Sequence, residues 1–414
     1  APAASPFAAA LHARHALAQG FAPGGNLSSH QVCVRPEGLE RTLQDETAAV
    51  LEGLPRWPEH DGVPLAVPTA KLAFLVQVSW EERLPLLRRI HGRIYSPQDV
   101  IVYFVDNKQL AKEKVLAALP SPLPSNVMVL PTPHAGYFYW PRVQILLDCL
   151  EMLLQHPWDF VVHLSESDYP LHSMDWIRQN LAAQRKSVFM KLEPKCAMQN
   201  RKKVHSDWYW WTANGAVASC GSAFEPEVIQ GVQFPVTELD EQGFLFAAAP
   251  EWMILPRELV EYAMLPELIH FKRLVAMHAA SDEIFWATLV LNIPGFTHTL
   301  NPQSWFILRS ANNFGHSPDT LTESHRALIL ADRREYFFIR KVDLEHSTSL
   351  LGEIDEVLAR PDESPGPNLV AAAAGPSAVP CAPPPSGEAV GPYPYWRPAS
   401  PRAGPAPFPA PAPP

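Results

Sequence analysis

Acidic side chains stand at three places in this sequence where type and spacing point to chemistry. Asp106 closes the apolar run Asp99–Val105. Glu166 and Asp168 sit two residues apart just beyond the run Asp159–Leu164. Asp282 and Glu283 are adjacent at the head of a helical pattern over 281–291. A carboxylate just past a strand can accept a ribose hydroxyl, and it can equally close a turn, so spacing leaves both readings of Asp106 open. Two carboxylates at i and i+2 have the spacing of an acidic site for a divalent cation. Adjacent acids at a helix start are favoured by the helix dipole in their ionised form, even when they only cap. No glycine-rich loop follows any apolar run, which excludes dinucleotide-binding and P-loop chemistry. The cysteines are Cys33, Cys149, Cys196, Cys220 and Cys381, with no CxxC pair and no His/Cys ligand spacing, so no zinc site is expected. Cys196 and Cys220 suit one disulfide in an oxidising compartment, whereas Cys149 lies in an apolar helical pattern and reads as a buried thiol.

Holding these acids in place requires a sheet, and the pattern does alternate strand and helix. Lys71–Val78 is a continuous apolar run of the kind found in buried parallel strands. Glu81–Ile94 follows with helical periodicity, then the strand Asp99–Val105, a helix Lys112–Leu119 and a strand Asn126–Leu130. Pro141 opens the clearest helix, with Val143, Leu146, Leu147, Leu150, Leu153 and Leu154 on one face. Asp159–Leu164 is a fourth strand, and another helix begins after Ser173. The expected fold is α/β, a Rossmann-type sheet flanked by helices, whose ligands sit at the carboxyl ends of the strands.

Residues 1–70 form an Ala/Pro/Gly-rich lead-in with one short helical pattern near Glu40 to Leu54, and 346–360 form a terminal helix. From Pro361 to Pro414 about a third of the residues are proline, and a disordered tail is expected there. Apolar residues make up 47% and there are 12 Trp, enough for a large core. The net charge of −10 argues against a nucleic-acid partner. No window reaches the ~18 continuous apolar residues of a membrane span, and Asn26-Leu27-Ser28 is the one glycosylation sequon.

Five segments, all in the right order, resemble motifs of glycosyltransferase family 14. That family contains the core-2/I-branching N-acetylglucosaminyltransferases, the protein xylosyltransferases and plant glucuronosyltransferases. Tyr137–Val143 resembles its YxxWSRV segment and His163–Leu171 its LSGxDxPL element. Pro250–Tyr262 resembles GSxWFxLSRxFVEY, Ser281–Thr288 resembles SPDExxWATL, and Tyr336–Lys341 resembles the closing FARKF. Together they span residues 71–345, the expected catalytic domain.

The resemblance implies a GT-A-like mixed sheet and an inverting transfer of a sugar from a UDP-sugar to an acceptor hydroxyl. It makes Glu283 the general base, and Lys341 and Arg309 the side chains that meet the UDP diphosphate. It places Val78 and Asp106 at the uridine and Asp168 within the donor site. Charged and aromatic residues fall around the acceptor sugar in the family, which makes Asp207, Trp208 and Trp210 candidates there. Aromatic faces stack on sugar C–H faces, although these Trp residues also suit a core or loop anchor. The resemblance further implies no metal cofactor. The alternative is manganese or magnesium on Glu166 and Asp168, since the family usually has a small residue at the position of Glu166. Leu289–Leu300 looks more like the xylosyl- and glucuronosyltransferases, which favours xylose as the donor sugar, with N-acetylglucosamine next. Glucuronosyl transfer and a catalytically inactive glycan-binding member are the alternatives. Family membership also implies a Golgi type II protein acting on a glycoprotein or glycan, held by an anchor not visible in this chain.

Overall fold

The computed structural model describes residues 45, 48–58, 69–107, 109–132, 140–192, 209–211, 217–219, 247–276, 281–302, 305–308, 318–331 and 333–359. The main sheet has seven strands: β1 (Leu72–Val78), β2 (Val100–Asp106), β3 (Val127–Thr132), β4 (Phe160–Ser165), β6 (Ser187–Phe189), β9 (Ile254–Pro256) and β10 (Thr299–Asn301). Their order is β10-β6-β9-β4-β1-β2-β3. β1 runs parallel to both β2 and β4, β2 parallel to β3, and β6 parallel to β10; β9 alone is reversed, antiparallel to β4 and β6. The sheet is therefore mixed, as the family resemblance implies.

β1 is buried on both faces, and its alternating side chains divide between two cores. Ala73 and Leu75 join one apolar cluster, while Leu72, Phe74, Val76 and Val78 join the other. Pro131 is accommodated because β3 is the sheet edge, where a missing ladder N–H costs little. Flanking helices are α1 (Leu84–Ile94), α2 (Lys112–Ala118), α3 (Trp140–Leu153), α4 (Met174–Ala183), α5 (Arg257–Ala263), α6 (Ile269–Ala276) and α7 (Ser281–Asn292). A smaller sheet, ordered β11 (Trp305–Ile307), β12 (Phe338–Arg340) and β5 (Asp168–Pro170), lies beside the main one. Two further helices, α8 (Arg326–Ala331) and α9 (Thr348–Leu358), follow.

Element boundaries depart from the sequence pattern for local reasons. Asp99 precedes β2 rather than opening it. Its buried carboxylate accepts the Leu72 N–H at 3.0 Å and pairs with Arg178. The helix expected from Glu81 starts as a 3-10 turn, Glu81–Arg83. α1 proper begins at Leu84, with Pro85 in its first turn, where a missing N–H is harmless. The lead-in contributes to the core, because Val50 and Trp57 are buried there and the Trp57 N–H donates to the Pro294 carbonyl at 2.7 Å. α9 buries Leu350, Leu351 and Ile354 in the cluster that holds Leu72, Phe74, Val76 and Val78 of β1. Cys149 is a buried free thiol in α3, its pKa pushed up by burial. Cys33, Cys196, Cys220, Cys381, Asn26 and the proline-rich segment lie outside the described residues. Among the described residues no helix is long and apolar enough to cross a membrane.

Candidate active site

The strand order creates a switch point. β2 and β3 extend from one side of β1 and β4 lies on the other, so the crossovers diverge at the carboxyl ends of β1 and β4. Gln77 joins two groups of charges there. Its carbonyl accepts the Glu166 N–H at 3.1 Å, and its side-chain oxygen accepts from Arg142 Nη2 at 2.8 Å.

The cationic group lies on the Glu166 side. Asp168, with no exposed surface, starts β5 and is engaged on both carboxylate oxygens. Oδ1 accepts from Trp305 Nε1 at 3.1 Å. Oδ2 accepts from the Ser165 N–H at 2.6 Å, the Ser165 hydroxyl at 2.7 Å and Arg340 Nη1 at 2.9 Å. Arg340 Cζ also sits over the Trp252 ring, 3.6 Å from its centre. Lys341, the next residue, has its backbone fixed: its carbonyl accepts from Leu321 at 2.8 Å, and the following Val342 N–H donates to Ser167 at 3.0 Å. Burial lowers the Lys341 pKa. The nearby charges of Arg83 and Arg340 lower it further, against the opposing pull of Glu166 and Asp168. Burial also raises the pKa of Glu166 and Asp168. Among the described residues, the Arg83 and Lys341 side chains make no hydrogen bond and no ion pair, although both face Glu166 electrostatically.

The acidic group lies on the Arg142 side. Arg142, in the first turn of α3, clamps Glu251 through both Nε and Nη2, the latter at 2.6 Å, and lies 3.7 Å from Asp282 Oδ2. Asp282 and Glu283 occupy the first turn of α7. The Glu283 N–H donates to Asp282 Oδ1 at 3.1 Å, and its carbonyl accepts from Ala249 at 2.8 Å. These bonds fix the backbone of a half-buried Glu283. Burial raises the Asp282 pKa well above the usual carboxylate range, the Glu251 charge adds to this, and Arg142 opposes it. Trp252, which carries Arg340, is the neighbour of Glu251, so the two groups adjoin a second time.

The residues singled out in the sequence thus fall into three classes. Val78, Asp106, Asp168, Lys341 and Glu283 are all positioned at strand ends or element starts. Val78 is buried and ends β1 opposite Val105. Asp106 ends β2, with its carbonyl accepting from Gln109 and Leu110 at 3.0 Å in the turn that follows. Trp210 lies in a short antiparallel ribbon, β7 (Tyr209–Trp211) with β8 (Val217–Ser219), opposite Ala218. Asp207, Trp208 and Arg309 lie outside the described residues. The pattern did not single out Arg83, Gln77, Arg142, Glu251 or Arg340. The signal for Arg142, Glu251 and Arg340 was their place inside segments that resemble family motifs; Arg83 and Gln77 carried none. The Glu166–Asp168 spacing does not present two free carboxylates, because Asp168 is bonded within the protein on both oxygens.

The family model for the Core-2/I-Branching enzyme matches residues 72–317, which include both charged groups except Arg340 and Lys341. The chain belongs to the Core-2/I-Branching enzyme family. Among relatives, Xylosyltransferase oxt of Drosophila pseudoobscura pseudoobscura is 24% identical over 262 residues, 61% of this chain and 25% of that protein. Beta-1,3-galactosyl-O-glycosyl-glycoprotein beta-1,6-N-acetylglucosaminyltransferase 3 of Rattus norvegicus is 28% identical over 116 residues, 26% of each chain. The matched stretch spans about a quarter of the length of these relatives. Among solved structures, the WbbM bifunctional glycosyltransferase in its apo form superposes with a TM-score of 0.33 at 11% identity, covering 68% of this chain and 46% of that one. This member of the Core-2/I-Branching family therefore carries an acid-rich and a cation-rich group on either side of Gln77.

Proposed function

We propose that the protein is an inverting glycosyltransferase that moves xylose or N-acetylglucosamine from a UDP-sugar to a hydroxyl of a glycan or glycoprotein. The observation that carries this reading is the pair of half-buried cations, Arg83 and Lys341, left without hydrogen-bonded partners among the described residues at the β1/β4 switch point. Half-buried charges of one sign are costly side by side and call for an anion. A diphosphate at that strand end has the charge, and the family membership supports UDP as its carrier.

In this reading Glu283 takes the proton of the acceptor hydroxyl as its oxygen attacks the sugar C1. The bond from C1 to the diphosphate oxygen breaks, and UDP leaves with the electron pair. Negative charge developing on the diphosphate meets Arg83, Lys341 and, by family resemblance, Arg309. Asp106 and Val78 stand at strand ends beside that position and serve the uridine. Asp168 serves the donor site indirectly, by fixing Arg340 and the strand that leads into Lys341. Trp210, Asp207 and Trp208 serve the acceptor, and no metal is required. A Golgi setting belongs to the same proposal, drawn from the family.

The test is UDP release from a panel of UDP-sugars with glycan and glycopeptide acceptors, run with and without EDTA. Transfer of xylose or N-acetylglucosamine that survives EDTA is expected. UDP binding without transfer from any donor would identify a glycan-binding member instead. Loss of activity in EDTA would return a metal to Glu166.

A further inference from the structure

Beside Glu251 and Asp282 lies a small, partly open space lined by Gln77, Arg142, His163, Glu251, Asp282 and Trp286. Two of these side chains end in buried nitrogens with no hydrogen-bond partner, His163 Nε2 and Trp286 Nε1. The residues are 4% and 2% exposed, so bulk water does not reach them. Their chemistry is complementary. An indole N–H only donates. His163 Nδ1 lies 2.9 Å from the Glu251 carbonyl oxygen, which only accepts, so Nδ1 carries the ring proton. Burial lowers the His163 pKa to about 4, so the ring is neutral near pH 7 and Nε2 holds a bare lone pair. The residues lining the space thus include one orphan donor and one orphan acceptor. Its volume, about 10 Å³ open to the centre of a water molecule, is room for a single water.

We propose that this space is a built site for one ordered water, which accepts from Trp286 Nε1 and donates one proton to His163 Nε2 and the other to the Arg142-clamped carboxylate of Glu251. The water would tie the β4 histidine and the α7 tryptophan to the network that fixes the backbone of Glu283. The site rests on two unpartnered buried nitrogens and the space they adjoin; only its effect on turnover rests on the proposed function.

A crystal structure of the whole protein, at a resolution that shows waters, decides it. One peak within hydrogen-bond reach of both nitrogens is expected. In Trp286→Phe, which keeps a ring and removes the donor, the peak should vanish. A dry space in the wild type, or protein atoms satisfying both nitrogens, would overturn the proposal, and the wild-type map suffices if the variant does not fold. Turnover reads the link to Glu283. Trp286→Phe should lower kcat by about 2- to 10-fold, the worth of one net hydrogen bond, with UDP affinity unchanged. An unchanged kcat overturns that link. Water density in a protein that transfers nothing from any UDP-sugar supports the site and sinks the proposed function; a dry space in an active enzyme does the reverse.

Discussion

Replacing Arg83 by methionine tests the anion site most directly. The change keeps the aliphatic stem and removes a charge that no described residue pairs with, so little native structure depends on it. A charge-assisted hydrogen bond is worth about 1.5–3 kcal/mol, so UDP affinity should fall by about 10- to 150-fold. Calorimetry carries a second, more specific signature. Lys341 is held below the usual lysine pKa by burial and by the charges of Arg83 and Arg340. A bound diphosphate favours the charged amine, so UDP binding at alkaline pH should take up protons, and affinity should fall as pH rises through the free-state pKa of Lys341. In Arg83→Met one of the two opposing cations is gone, and the proton uptake should move to higher pH. Measuring UDP binding in two buffers of different ionisation enthalpy reads both effects. If wild type binds UDP and Arg83→Met binds it equally well with the same proton uptake, Arg83 does not face the diphosphate.

Other outcomes follow from the same structure. Glu283→Gln should retain UDP binding and lose transfer by roughly 10²- to 10⁴-fold, the usual contribution of a positioned base; near-normal turnover at saturating acceptor would refute the assignment. Arg178→Met strands the Asp99 carboxylate, which has no exposed side-chain surface, and should cost about 3–5 kcal/mol in urea unfolding. A loss under 1 kcal/mol would mean that Asp99 is hydrated or protonated without penalty. His172 stacks on Trp176 at 3.6 Å, donates from Nε2 to the Arg333 carbonyl, and has its pKa lowered by burial to about 3. The unfolded chain therefore binds the proton first, and stability is lost as pH falls below the unfolded value. Between about pH 7.5 and pH 5 His172→Phe should gain about 2 kcal/mol relative to wild type, and a pH-independent difference would contradict a buried neutral ring.

The strands of the parallel half were legible because a strand buried on both faces needs mostly apolar side chains, and β1, β2 and β4 have them apart from Gln77, Asp106, His163 and Ser165. Boundaries slipped by one residue where a polar side chain had work outside the ladder, as Asp99 does on the Leu72 N–H and Arg178. β9 and the small sheet escaped notice because strands of three residues have no periodicity to read. The acids at strand ends were visible as types, but their partners were not. Asp168 meets Arg340 across 172 positions of sequence and Trp305 across 137, and no local pattern encodes either contact. Arg142 likewise reaches Glu251 over 109 residues. Sequence shows which charges exist; only the fold shows which are neutralised, and at this site the unneutralised ones carry the functional argument.

That division falls between two adjacent residues, Arg340 and Lys341. Arg340 is paired with Asp168 and stacked on Trp252, and it fixes β12 against the end of β4. Lys341 is held by its backbone and left unpaired at its amine among the described residues. An unpaired, partly buried cation beside two others opposes folding of the free protein, as its lowered pKa records. Glu166 and Asp168 offset part of that cost and a bound anion recovers more, since a ligand that binds the native state alone stabilises it by about 2.7 kcal/mol at 100 times Kd. Lys341→Met should therefore leave the free protein as stable as wild type or more so, while sharply reducing the rise in Tm that UDP produces. Thermal unfolding with and without UDP measures both. A free Lys341→Met protein less stable than wild type would show that the amine is a structural partner, and the cation pair would no longer argue for a diphosphate.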